Sequence, residues 1–324
     1  MKEKLLSSAL AMALCLSFII PAFAAQTYVP SWLEQGVFLE DTTSFAAPFT
    51  PVSRGGKWGY ANRLGGLAIA PQYDYALAFS DGLAAVSKDG KCGYIDVSGK
   101  TVIALQYEDT ASFSEGLAAV GQNGKFGFID KTGKTVIAPQ YEAVSSFSNG
   151  LALVTKDGKC GYVDKTGKTV VAPQYDGGYN FTSDGFALVR KGGKWGYVDR
   201  TGKEAVALQY DQALVFSEGL AAVSKGGKWG FIDKTGKETA SISYDSVGTF
   251  YEGLAKVSKN GKWGYIDQTG KEVVAPQYAA SSRFSNGLAA VENNGKWGFI
   301  DKTGKTVVSP KYAHAGNFTA DGLA

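Results

Sequence analysis

At 324 residues, with 33 basic against 30 acidic side chains and 44% hydrophobic residues, the chain can bury a sizeable core and has no charge excess pointing to nucleic acid or disorder. Forty-two glycines and an aromatic content of 13% describe a turn-rich, ring-rich protein. A single histidine, His314, lies between units in Tyr312-Ala313-His314-Ala315 with no evident catalytic partners, so sites with several histidine ligands are excluded and Ser-His-Asp or Cys-His chemistry has little to stand on.

Residues 1–24 read as a secretory signal peptide. Lys2 and Lys4 give the charged start, Leu5 to Ile20 the apolar stretch, and Ala22-Phe23-Ala24 the small residues around a cleavage site, expected after Ala24. The stretch contains three serines and ends at Pro21, which argues against a retained membrane anchor, and bulky Leu14 before Cys15 argues against a lipoprotein site. No later stretch is long and apolar enough to span a bilayer as a helix, so the expected location is secreted or at the cell surface. The processed chain keeps 31 basic and 29 acidic residues and two cysteines, Cys92 and Cys160, and so relies on burial rather than on a disulfide framework.

Residues 25–48 contain Tyr28, Trp32, Leu33, Val37, Phe38 and Phe45 without a clear period and read as a lead or cap segment. Residues 49–317 hold eight copies of one unit. Aligned on Gly-Lys-aromatic-Gly-aromatic, the third position is Trp58, Cys92, Phe126, Cys160, Trp195, Trp229, Trp263 and Trp297, with spacings of 34 residues except for one of 35. The extra residue falls in Phe181-Thr182-Ser183-Asp184-Gly185, where the preceding unit has the shorter Phe147-Ser148-Asn149-Gly150. Residues 318–324 repeat the opening of a unit and read as the start of a truncated ninth.

Inside each unit, turn signals recur every 8 to 10 residues, too closely for paired helices. Asp89-Gly90, Asn123-Gly124, Gly192-Gly193 and their equivalents suit a type I′ hairpin, with positive φ at both central residues. Asp130-Lys131-Thr132-Gly133-Lys134 suits a type I turn with glycine in the left-handed position and Asp130 bonding the turn backbone. A three-stranded meander follows, then Ala138-Pro139-Gln140-Tyr141, where proline should end the strand or place it at an edge, then a short fourth strand or loop. In the middle strand Phe126 and Phe128 share the expected packing face, and Gly127 leaves a flat spot for a ring or backbone of a neighbouring unit.

The signature in Gly261 to Tyr278, Gly-Lys-Trp-Gly-Tyr-Ile-Asp-x-Thr-Gly-Lys-x-Val-Val-Ala-Pro-Gln-Tyr, closely resembles the WG (KWG) repeat family of bacterial proteins from Phe49 onward. Cys92, Phe126 and Cys160 depart from it at the tryptophan position, and Asn62 stands where other units carry Asp. The resemblance implies bacterial origin and an all-β repeat, and no reaction. A looser likeness, to the choline- and glucan-binding hairpin repeats of cell-wall proteins, rests on the Gly-x-Trp-x-Tyr strand and the Asp-x-x-Gly turn. Two closures fit the array: an open β-solenoid, which is favoured, or an eight-bladed propeller-like ring.

The functional expectation is a non-catalytic scaffold that binds a protein or cell-wall polymer, with a glycan- or choline-type ligand module built on inter-repeat aromatics as the alternative. An enzyme would need a part of a longer protein that these residues do not contain. The ring positions from Trp58 to Trp297 are expected to serve mainly inter-unit packing, with an exposed aromatic ladder as the functional reading. The Asp96, Asp130, Asp164, Asp199, Asp233, Asp267 and Asp301 series is expected to bond turns; no acidic loop supplies the six or more oxygens of a calcium site, and no metal or cofactor is assigned. Cys92 and Cys160, two units apart, are about 20 Å from one another if units stack at about 10 Å, and should be buried free thiols. Asn180-Phe181-Thr182 and Asn317-Phe318-Thr319 match a glycosylation sequon but carry little information in a bacterial chain.

Overall fold

The computed structural model describes residues 49–316; the signal, the lead segment and the start of a ninth unit lie outside the described residues. Within them every regular element is a strand, and the strands form eight antiparallel sheets. The chain divides into two bodies, residues 1–174 and 175–324.

The repeating sheet is four-stranded. In the third sheet the strands are a two-residue short strand (Asp109–Thr110), an opening strand (Leu117–Gln122), a middle strand (Lys125–Asp130) and a closing strand (Thr135–Tyr141), paired in chain order. The first sheet has three described strands, Phe49–Arg54, Lys57–Asn62 and Leu67–Tyr73.

The opening hairpins are type I′ as their residues require: Asn123 and Gly124 have φ of 53° and 67°, and Gly226 and Gly227 have 57° and 75°. The second turn also follows its sequence. Asp130 Oδ1 accepts from Thr132 N at 2.9 Å, Thr132 Oγ1 at 2.6 Å and Lys134 N at 3.1 Å, while Gly133 takes φ of 85°. Asn62 does the same work in the first sheet, accepting from Leu64 N and Gly66 N.

Three expectations are refined. Pro139 does not end the closing strand, which runs on to Tyr141; it stays at the sheet edge, and the middle–closing register shifts across it. The fourth strand belongs to the next sheet: Asp109 and Thr110 pair with Gly121 and Val120, and Glu108 alone separates them from the closing strand of the sheet before. Gly127 accommodates its own sheet rather than a neighbouring unit, because a Cβ there would collide with the bulged closing strand, 2.6 Å from Pro139 N.

Both faces of the inner strands are buried, so aromatics are not alone in packing. Phe128, with Leu117, Ala119, Ile137 and Tyr141, faces the following sheet's Val144, Phe147, Ala152, Val154 and Val163. Ile129, with Ala118 and Val120, faces back onto Tyr94 and Ile103 of the sheet before. Within the first body a phenylalanine between short and opening strands locks one sheet against the preceding middle strand, with centroid distances of 4.8 Å for Tyr94–Phe113 and 4.7 Å for Phe128–Phe147. In the second body Tyr197–Phe216, Phe231–Phe250 and Tyr265–Phe284 repeat it at 4.7 to 4.8 Å. Where the middle strand carries tyrosine, its hydroxyl reaches the next sheet's backbone, as in Tyr94 to Ala111 O at 2.7 Å and Tyr265 to Ser282 O at 2.7 Å. Burial pushes both hydroxyls well above their ordinary pKa, to about 12 for Tyr265.

Candidate interaction surface

Each sheet presents two edges where side chains reach its neighbour. On the hairpin edge, the residue linking closing strand to short strand is, in every described link except Ala279, an acid whose carboxylate caps the next hairpin turn. Glu142 accepts from Asp157 N and Gly158 N at 3.1 and 3.0 Å, and Asp245 accepts from Asn260 N at 2.7 Å. The same acid pairs with the lysine that opens the preceding middle strand: Lys57 with Asp74, Lys125 with Glu142, Lys194 with Asp211 and Lys228 with Asp245. Lys228 first, and Asn260 N–H second, hold the Asp245 carboxyl below the usual carboxylate range.

The opposite edge carries a clasp that sequence reasoning missed. The turn before each opening strand, such as Ser114-Glu115-Gly116-Leu117, is closed by paired backbone bonds between Ser114 and Leu117. Glu115, Glu218 and Glu252 adopt positive φ of 50° to 54° there, a strained conformation for glutamate. The strain is compensated by what the carboxylate reaches: Glu115 accepts from Gly150 N at 3.0 Å and pairs with Lys165 at 3.0 Å, and Glu252 accepts from Asn286 N and Gly287 N and pairs with Lys302. Ser114 Oγ and Ser217 Oγ add bonds to Phe147 O and Phe250 O, both 2.8 Å. The detectable signal was a Ser-Asp/Glu/Asn-Gly triplet before the Leu-Ala starts at Leu83, Leu117, Leu151, Leu220 and Leu288, overshadowed by the stronger Asn-Gly signal.

The eight ring positions sit one residue inside the hairpin edge. Trp58, Phe126, Trp195, Trp229, Trp263 and Trp297 are half-buried, whereas Cys92 and Cys160 are buried free thiols, and burial pushes the Cys92 thiol up. Trp58 meets Tyr75 edge-on at 6.4 Å, and Tyr179 lies 5.8 Å from Trp195. Cations cover two rings: Arg190 at 5.6 Å from Trp195 and Lys256 at 4.5 Å from Trp263. Among the described residues no group of three or more His, Cys, Asp or Glu side chains is placed to hold a metal ion, and no helix is long and apolar enough to cross a membrane. His314 is exposed at the far end of the described chain.

The family model for the WG containing repeat matches residues 58–92, 93–126, 126–160, 161–195, 195–229, 229–263, 263–297 and 297–324. The chain is a WG repeat protein. No curated relative matches it. Among solved structures, it is similar to a eukaryotic initiation factor (11% identity, TM-score 0.45, covering 81% of this chain and 85% of that one). It is also similar to Hsv2p of Kluyveromyces lactis (12% identity, TM-score 0.34, 60% and 74%) and to apo AztD of Citrobacter koseri (13% identity, TM-score 0.33, 82% and 86%). In the WG repeat protein the tryptophan that gives the family its name is thus a rim residue, packed on one side and accessible on the other, beside a charged hairpin edge.

Proposed function

We propose that this WG repeat protein is an exported, non-catalytic scaffold that holds a cell-surface polymer or protein partner along the hairpin edge of successive repeats. The observation that carries the reading is the repetition of a half-buried ring beside exposed lysines at the same place in sheet after sheet. A contact that is weak in one unit becomes strong when many units engage one extended partner. The hydrogen-bonding acids of both edges are committed to joining sheets, so the polar groups left for a partner are the lysines and the ring rims. Export rests on the leader-like residues 1–24.

Incubating the chain from Ala25 with intact cells and with purified wall polymers tests this reading. Retention on either supports it, and failure to bind both, with the protein monomeric and folded, refutes a surface role. A second reading, a glycan- or choline-type module using the rings between repeats, is favoured by the partial exposure of all five tryptophans at the signature position. It predicts that acrylamide quenching of tryptophan fluorescence falls when a neutral glycan or choline is added, whereas a polymer held by the lysines leaves the rings open.

A further inference from the structure

In several hairpins both residues flanking the turn are lysines that face one another across the two strands: Lys191 pairs in register with Lys194, Lys225 with Lys228 and Lys259 with Lys262. Like charges placed opposite each other in an antiparallel ladder repel. In the first two pairs the structure answers that repulsion. Lys194 and Lys228 pair with Asp211 and Asp245, Lys225 Nζ donates to Gln209 Oε1 at 2.8 Å and lies over Tyr210, and Lys191 lies over Tyr175.

At the third pair two of these partners are missing. The residue beside Lys262, fixed by the Trp263–Tyr278 register, is Ala279 instead of an acid, and Ser243 replaces the glutamine that would reach Lys259. The next unit repeats the omission, with Ala313 beside Lys296. Ala279 N still donates to Glu292 O at 3.1 Å, so the backbone link is intact and only the carboxylate is gone. The turn tips here, Asn260 and Asn294, are neutral, where the first body has Asp89 and Asp157. Lys259, Lys262 and Lys296 are exposed; Asp245, which caps the Asn260 turn beside Lys259, is already paired with Lys228, and Glu292, across from Trp297, is half-buried.

We infer that this hairpin edge, Lys259, Lys262 and Lys296 with the rims of Trp263 and Trp297, is a binding site for an anionic surface polymer bearing phosphodiester charges along its length. The inference rests on the scaffold reading above and narrows it to one chemistry and one place. Face-packed sheets lie about 10 Å apart, so the cations form a short row that a linear polyanion can follow, with the rings supplying apolar contact to its polyol or sugar units. Lys262 and Lys296 have no linking acid beside them, and Asp245, at the turn of Lys259, is shared with Lys228, so an anion from outside would supply the missing charge.

The test uses poly(glycerol phosphate) as probe, dextran as the neutral polymer and duplex DNA as the competing polyanion, with the chain from Ala25. Two double variants remove the site in opposite ways: Lys262→Gln with Lys296→Gln deletes the cations, and Ala279→Asp with Ala313→Asp restores the acids that other repeats carry. The second keeps or improves folding, so loss of binding there cannot come from unfolding. Both should weaken binding to poly(glycerol phosphate) about tenfold at low salt and make the log–log salt dependence shallower by about one unit per cation removed. Lys194→Gln with Lys228→Gln, at partnered positions, should change binding far less. Unchanged binding by both site variants overturns the inference while leaving the scaffold reading standing if wall material is still retained. Equal binding of dextran, or tighter binding of duplex DNA, overturns the assignment to an anionic surface polymer, and absence of binding to poly(glycerol phosphate) and wall material together overturns both readings.

Discussion

Two successive sheet junctions in the second body use the same parts with different completeness. Where the sheet of residues 212–244 meets that of 246–278, Ser217 bonds Phe250 O, Glu218 accepts from Gly253 N and Gln268, and Asp245 joins Lys228 to Asn260 N. Where 246–278 meets 280–312, Tyr251 replaces the serine and its exposed ring is covered by Arg283 at 4.5 Å, Ala279 replaces the linking acid, and Lys256 enters a row that alanine or leucine fills in the other four-stranded sheets. What survives is the ring lock of Tyr265 and Phe284, the Tyr265–Ser282 bond and the Glu252 clasp. The comparison teaches that one sheet can be set on the next without the serine and the linking acid, provided that the ring lock, the tyrosine bond and the Glu252 clasp remain.

The largest expected effect comes from the ring locks. Phe250→Ala and Phe284→Ala, each removing a side chain that is 1% exposed, should cost about 3–5 kcal/mol. Hydrogen exchange should separate them: loss of protection spreads through the body for Phe250→Ala and stays within 280–312 for Phe284→Ala, because the sheet of 280–312 has one described neighbour and that of 246–278 has two. An equally wide spread from both would break the comparison.

Gly230→Ala and Gly264→Ala come next, at about 3 kcal/mol each by denaturant unfolding, since either Cβ would strike the closing strand of its own sheet, at 2.6 Å from Ala240 O in the first case. This feature lies within a sheet, so the two costs should agree; a large difference would mean that the sheets themselves, and not their junction, differ.

Lys256→Ala should stabilise, by about 1 kcal/mol once its partial exposure is allowed for. Its stem leans on Gly248, its Nζ donates to Ser281 O at 3.2 Å, and burial lowers its pKa. The unfolded chain holds that proton more tightly, so this site makes stability rise as pH climbs from the lowered value towards the ordinary value of about 10.4. Thermal unfolding across that alkaline range should show the rise in the parent protein and lose it in Lys256→Ala.

The smallest effects belong to the exposed clasp. Asp245→Ala should lower, and Ala279→Asp raise, the melting temperature slightly, and exchange protection at the Asn260 and Asn294 turns should move in the same directions. No change at either turn would remove the linking acid from the account of how sheets join.

The hairpins, the Asp-x-Thr-Gly turns and the eightfold array were legible because each depends on a few neighbouring residues: Asn-Gly must take positive φ, and Asp130 reaches backbone only two and four residues away. What escaped depended on partners one unit on. Nothing local in Glu108 says that it joins one sheet to the next, or in Ser114 that it seeks Phe147 O. Gly127 suggested a close approach correctly and its owner wrongly, because the register shift that brings Pro139 over it arises from pairing within the same sheet. Burial on both faces was hidden by the small residues of Leu117-Ala118-Ala119-Val120, which fit either side of a strand. The uncompensated lysines could be found only by comparing units, where Ala279 and Ala313 stand out against Asp211 and Asp245.

The single residue between closing strand and short strand also has a mechanical consequence. Because Glu108, or its equivalent, is the whole connection between consecutive sheets, tension along the backbone passes from one sheet to the next with almost no slack. Each sheet that yields releases one 34-residue length, about 115 Å of extended chain. Pulled along its backbone, such a chain should yield in nearly equal steps, which force–extension of single molecules would read as a regular sawtooth.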